Sequence, residues 1–147
     1  MNTYIMRWNP SISSSKIEEF REAMDKWPGG FCYNWSIYEW EQAKEGDEYV
    51  MVRVGDGPCG VVYHGTFLSN PYEGGDWGGT AKKRHYVDIT VENACDPDMP
   101  CITMEQLETA IPEIEWRRGH SGQLITPEQA RRLGELLDRA LDLYHSL

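Results

Sequence analysis

No run of 18 or more apolar residues occurs in this 147-residue chain, which excludes a transmembrane helix. The opening residues, MNTYIMRWNP, hold no apolar secretion core, so the expected compartment is the cytoplasm. Cysteine is sparse: Cys32, Cys59, Cys95 and Cys101, with no CxxC pair. These fit reduced thiols. Cys95 and Cys101 flank Asp96 and Asp98, but two thiols at that spacing lack the partners of a zinc site. Asp47, Asp56, Asp76 and Asp88 are scattered and build no metal loop, and no cofactor is expected. Positive charge is scarce too. Fourteen Lys and Arg face 24 Asp and Glu, a net charge of -10. That argues against a generic nucleic-acid coat, whose affinity comes from neutralising phosphates. It leaves room for a pocket that holds one nucleotide by stacking and base-edge hydrogen bonds. No repeat, low-complexity segment or linker is present, so residues 1–147 read as a single domain.

What the chain does have is concentrated between Asn34 and Gly79, which hold three of the six tryptophans. Val50, Val52 and Val54 alternate with Met51 and Arg53, the pattern of a strand with at least one buried face. Asp56-Gly57-Pro58 breaks it, and Gly60 to Phe67 completes a hairpin. Glu45-Gly46-Asp47 is a tight turn leading in. Pro71 to Gly79 reads as a Gly-rich loop carrying Tyr72 and Trp77. Thr3 to Trp8 is an early strand that Asn9-Pro10 ends. Ser15 to Glu18 fits a capping box for a helix to about Lys26, with Ile17, Phe20, Met24 and Trp27 as its buried stripe. Phe31 to Ile37 is a strand, and Glu39 to Lys44 one or two helical turns with Trp40 and Ala43 facing inward. His85 to Val91 is a further strand, and Thr103 opens a short helix that Pro112 ends. Gly119-His120-Ser121-Gly122 is a turn into Gln123-Leu124-Ile125. Thr126, Pro127 and Gln129 start the last helix, whose apolar face is Leu133, Leu136, Leu137, Ala140, Leu141 and Tyr144. About five strands and three helices imply an α+β domain. Its sheet is expected to be small, curved and mostly antiparallel, or an open pseudo-barrel, with helices packed around it.

The order of these pieces resembles the PUA-like superfamily, within it the EVE and ASCH branches, and more distantly the YTH readers. The matching residues are Trp8-Asn9-Pro10 and Asn34-Trp35-Ser36 followed by Trp40. Gly46-Asp47 then leads into Val50 to Val54, and Gly60 to Gly65 is followed by Ser69-Asn70-Pro71-Tyr72. Tyr86 to Ile89, and Gly119 to Gly122 before a capped helix, complete the likeness. It covers nearly the whole chain, and the order of elements carries it more than any one motif. The resemblance implies a pseudo-barrel with a pocket for a modified base or nucleotide. In YTH readers an aromatic cage holds a flipped methylated base.

The candidate cage tryptophans are Trp8, Trp35, Trp40 and Trp77, each of which can instead serve as core. Trp35 and Trp77 are the stronger candidates: Trp35 lies between two polar residues, and Trp77 in a Gly-rich loop. Asn9, Asn34 and Ser36 can orient a base, or cap locally. Arg53 can meet a phosphate or stack, or pair with an acid inside the fold. His120 and Ser121 sit between glycines that let the backbone approach a pocket rim. Lys82, Lys83 and Arg84, in the only basic run, can contact flanking phosphates. The expected partner is therefore a modified nucleotide or single-stranded nucleic acid, with no membrane. Two other readings stand beside it. One is an ASCH-like hydrolase of a modified nucleoside, to which Lys83, Tyr86 and Glu92 can contribute. The other is a structural domain whose tryptophans are all core.

Overall fold

The computed structural model describes residues 1–75 and 83–146. In chain order the elements are β1 (Thr3–Trp8), α1 (Ile17–Lys26), β2 (Phe31–Ser36), β3 (Glu48–Arg53), β4 (Gly60–Thr66), β5 (Tyr72–Gly75), β6 (Lys83–Val91), β7 (Ile102–Thr103), α2 (Met104–Ala110), β8 (Gln123–Leu124) and α3 (Pro127–Ser146). The fold is α+β. A five-stranded sheet has the order β7-β4-β3-β1-β8, and a three-stranded sheet the order β2-β6-β5. All pairings are antiparallel except β1 with β3. The sheets do not close into a barrel. They are stitched along one side by the His64–Glu92 and Phe67–Ile89 bridges. On the other side Tyr38 N–H donates to Ser121 O and Glu39 N–H to Gly122 O.

The pattern of β3 explains its central place. Val50 and Val52 face one side and Met51 the other, and all three are buried. An open sheet with both faces covered demands such a strand. Tyr4, Met6, Trp8, Met51, Tyr63, Phe67, Val87 and Ile89 fill the space between the two sheets, which α1 closes with Phe20. Ile5, Val50, Val52, Val61, Leu107, Trp116 and Leu133 pack the opposite face of the larger sheet against α2 and α3. The molecule is thus layered: α2 and α3, the five-stranded sheet, then the three-stranded sheet with α1.

The Gly46-Asp47 turn has a physical cause. Gly46 takes φ +92°, a region that favours glycine. The buried Asp47 carboxylate accepts from the N–H groups of Asn2, at 3.1 Å, and Lys44, at 3.0 Å. The α3 capping box is formed as expected: Gln129 N–H donates to Thr126 Oγ1 and Thr126 N–H to Gln129 Oε1. Thr103 and Gln106 make the same box for α2.

Four expectations need correcting. Residues 39–44 form bends and turns rather than helical turns, and Trp40 is exposed. Tyr72 to Gly75 is a strand paired with β6, so the segment after Pro71 begins as sheet. Ser15 makes no capping box; Lys16 is the α1 N-cap, without a side-chain cap. The Ser15 carbonyl instead accepts from Trp8 Nε1 at 2.9 Å. Trp27, expected in the buried stripe, is 54% exposed beyond the end of α1, with Lys26 Nζ 5.7 Å from its ring centre. The stripe is carried by Phe20 and Ala23, with Ile17 and Met24 half-buried beside them.

Candidate functional site

A cavity of about 550 Å³ opens where the end of β1 meets the edge of β2 that, among the described residues, pairs with no other strand. Its size is that of a small-molecule site. Arg7, Trp8 and Asn9 form one wall, Tyr33 to Ser36 another, the loop of residues 12–15 a third, and Arg84, Tyr86 and Ser121 the rim.

The β2 wall follows from strand alternation. Phe31, Tyr33 and Trp35 share the inward face, and Cys32 and Asn34 are exposed on the other. The three rings form a ladder. Phe31 and Tyr33 meet edge to face at 5.4 Å, and Tyr33 and Trp35 lie 6.4 Å apart. Trp35 stands at its cavity end, half-buried. Its Nε1–H donates to Arg7 O at 3.3 Å, which fixes the indole against β1. Burial pushes the Tyr33 hydroxyl above its usual range, with Glu19 adding to the shift, so the phenol stays a neutral donor at the cavity wall.

The backbone of β2 also faces the cavity. Ile37 N–H donates to His85 O, so the odd-numbered residues of the strand bond to β6. In an antiparallel ladder the alternate residues point their N–H and C=O the other way. Those of Asn34 and Ser36 therefore turn to the edge away from β6, which pairs with no other strand among the described residues, and both residues line the cavity. The Asn34 side chain is engaged elsewhere. With Asp88, whose Oδ1 accepts the Tyr72 hydroxyl at 2.6 Å, it flanks that hydroxyl on the outer face of β2 and β6. Burial first, then Asp88, pushes the Tyr72 hydroxyl up to about 12.

Arg7 holds the opposite wall together. It is buried, and its guanidinium donates to the carbonyls of Trp116, His120 and Glu115 and to Gln123 Oε1. Its N–H donates to Ser121 Oγ at 2.9 Å. Burial pulls the guanidinium below its ordinary value, opposed by Glu115. One residue therefore anchors both Trp35 and the segment from Glu115 to Gln123. Gly122 allows the closeness of that segment: at φ +87°, a Cβ there would sit 2.7 Å from Ile37 Cα.

The residues singled out in the sequence separate into groups. Trp8, Asn9, Asn34, Trp35, Ser36, Arg84 and Ser121 all line the cavity. Trp8 is 1% exposed and its ring packs on Phe20 at 5.6 Å, so it supports the wall rather than offering a face. Asn9 Oδ1 caps its own turn by accepting from Ser11 N–H at 3.1 Å. Trp40 and His120 lie outside, on a neighbouring concavity. There Trp40 stacks on His85 at 3.8 Å and His120 on Tyr38 at 4.1 Å. Arg53 is spent inside the fold: it donates to Pro97 O at 2.7 Å and pairs with Asp98 at 2.9 Å. Trp77 and Lys82 lie outside the described residues, and Lys83 opens β6. Of the hydrolase candidates, Tyr86 lines the cavity, whereas Glu92 follows β6 at its far end, bonded to His64 through the backbone.

Arg7, Tyr33 and the loop of residues 12–15 were not anticipated. The period-two run Phe31, Tyr33, Trp35 was a signal for the second. Nothing local marks Arg7, because its acceptors lie more than 100 residues away.

No protein-family model matches the chain, and no curated protein sequence matches it. Solved structures do. A hypothetical protein from Leishmania major aligns with a TM-score of 0.60 at 12% identity, over 95% of this chain and 96% of that one. A protein from Pseudomonas putida aligns at 0.56 and 17%, over 91% and 98%. The YTH domain-containing protein Mmi1, solved in complex with RNA, aligns at 0.58 and 11%, over 99% and 87%. At such identities the likeness establishes a shared fold, and fold alone does not fix function.

Proposed function

We propose that this domain is a binding module that takes one modified base of a nucleic acid, or the corresponding nucleotide, into the β1–β2 cavity. The observation that carries the reading is the anchored Trp35 indole beside the open backbone edge of Asn34 and Ser36. An aromatic face offers stacking to any base, about 1–3 kcal/mol each. Backbone donors and acceptors read a base edge with fixed geometry. A methyl group on the base adds apolar area to bury against the ring. The fold shared with an RNA-bound YTH domain supports the same class of ligand. Arg84, which lines the cavity, is assigned to flanking phosphate, together with Lys82 and Lys83 of the same basic run. Trp77, close in sequence to β5, is the second expected stacking ring.

Isothermal titration calorimetry tests this with short single strands carrying unmodified bases, 5-methylcytosine, 5-hydroxymethylcytosine or N6-methyladenine, in RNA and DNA. The expected result is saturable binding that prefers one modified base. Trp35→Ala should weaken it at least about tenfold, the lower part of the stacking range. Flat heats across the panel at near-millimolar strand would contradict the proposal.

A further inference from the structure

Next to the base cavity lies a second concavity of about 430 Å³. Ser36, Arg84 and Ser121 border both, so the two adjoin along a shared rim. The second is built differently. It holds two near-parallel ring pairs: Trp40 on His85, 3.8 Å apart at 12°, and Tyr38 on His120, 4.1 Å apart at 10°. The pairs come from separate parts of the chain. Tyr38 and Trp40 lie in the irregular stretch after β2, His85 on β6 and His120 in the turn before β8. Tyr38 is 64% exposed and Trp40 37%. Rings serving only as core would be covered. These stay partly open to solvent while each stacks on a histidine. The backbone is fixed beneath them by Tyr38 N–H on Ser121 O, at 2.9 Å, and Glu39 N–H on Gly122 O, at 3.0 Å.

We infer that this concavity is a second subsite, taking the base next to the one in the main cavity. The inference rests on the proposed function and sharpens it. The ligand is a strand of at least two nucleotides rather than a free nucleoside. A strand threading both sites passes its linking phosphate over the shared rim, beside Arg84. The ring platform accepts any base, because every base has a face to stack. Selectivity for a modification therefore stays with the first cavity, while the second adds affinity without sequence preference.

The test compares three probes by calorimetry, each carrying the modified base selected by the panel above. They are the 5′-mononucleotide, a pentanucleotide with that base central, and the same pentanucleotide with abasic sites on both sides. RNA and DNA versions are run in parallel. The intact pentanucleotide should bind at least about tenfold tighter than the mononucleotide. The abasic strand keeps the phosphates and should lose most of that gain. Trp40→Ala and Tyr38→Ala, both at exposed positions, should remove the strand advantage and leave mononucleotide affinity unchanged. Equal affinity for mononucleotide and pentanucleotide would overturn the inference and leave the base cavity standing. So would an abasic strand as tight as the intact one, or a Trp40→Ala loss shared equally by all probes. Absence of binding by every probe would overturn both.

Discussion

Arg7 and Trp35 carry the site between them. The indole N–H bonds to the Arg7 carbonyl, and the Arg7 guanidinium gathers carbonyls from Glu115, Trp116 and His120. Removing the guanidinium strands the buried Trp116 carbonyl, at about 1–3 kcal/mol, and takes the donor from the partly buried bonds to Glu115 O, His120 O and Gln123 Oε1. Arg7→Met should therefore lower stability by about 3 kcal/mol, read as a shift in denaturant midpoint with unchanged slope. Stability within 0.5 kcal/mol of wild type, a threshold set by the usual scatter of surface substitutions, would mean that the segment is held otherwise. Trp35 was legible in the sequence because it sits on a short strand between polar neighbours. Alternation puts the Asn34 side chain on the other face, and the ladder register turns the backbone groups of Asn34 and Ser36 away from β6. Arg53 illustrates the converse: of the alternatives open in the sequence, pairing with an acid is the one formed, and its partner lies 45 residues on, in a loop that no local pattern reveals.

At the level of elements, the edge position of β2 makes a prediction about proline. The Asn34 amide points away from β6, so Asn34→Pro removes no ladder bond and should cost only about 1 kcal/mol. Val87→Pro, in the central strand β6, should cost about 3 kcal/mol or more. Thermal unfolding separates them, and equal losses would show that Asn34 bonds within the sheet. The tie between α1 and the loop of residues 96–98 is electrostatic. Arg21 pairs with Asp96 at 3.0 Å and Asp98 at 2.7 Å. Hydrogen bonding to Arg21 holds the Asp96 carboxyl below its ordinary 3.8. A depressed carboxyl adds stability that is present above the unfolded value and lost as pH falls through the folded one. Arg21→Gln should therefore shrink the loss of stability below about pH 4. An unchanged acid profile would assign that loss to other groups. The long strands, α1 and α2 were readable from periodicity, and α3 from its capping box as well. Residues 39–44 were misread as helix because the Trp40–Ala43 spacing fits a helix, while the actual positions are set by contacts with His85 and the 121–122 backbone.

At the scale of the whole molecule, the charge and the fold agree on a pocket. With a net charge of -10, few phosphates can be neutralised, and counterion release scales with their number. The logarithm of the binding constant should fall with the logarithm of salt concentration with a slope no steeper than about -2. A much steeper slope would point to an extended backbone-binding surface. The α+β class and the mostly antiparallel pairing were expected from turn and strand spacing. The division into two sheets was not, because the stitching at His64–Glu92 and Tyr38–Ser121 is long-range.

The most direct test of the account uses the indole N–H resonances of the six tryptophans, followed by heteronuclear NMR during titration with the preferred modified pentanucleotide. Single Trp→Phe variants assign the signals. The Trp35 signal should move to saturation. Those of Trp116, buried on the far face of the larger sheet, and Trp27, exposed beyond α1, should stay in place. A Trp35 signal unmoved at saturation, with Trp27 or Trp116 shifting instead, would place the ligand elsewhere and contradict the account.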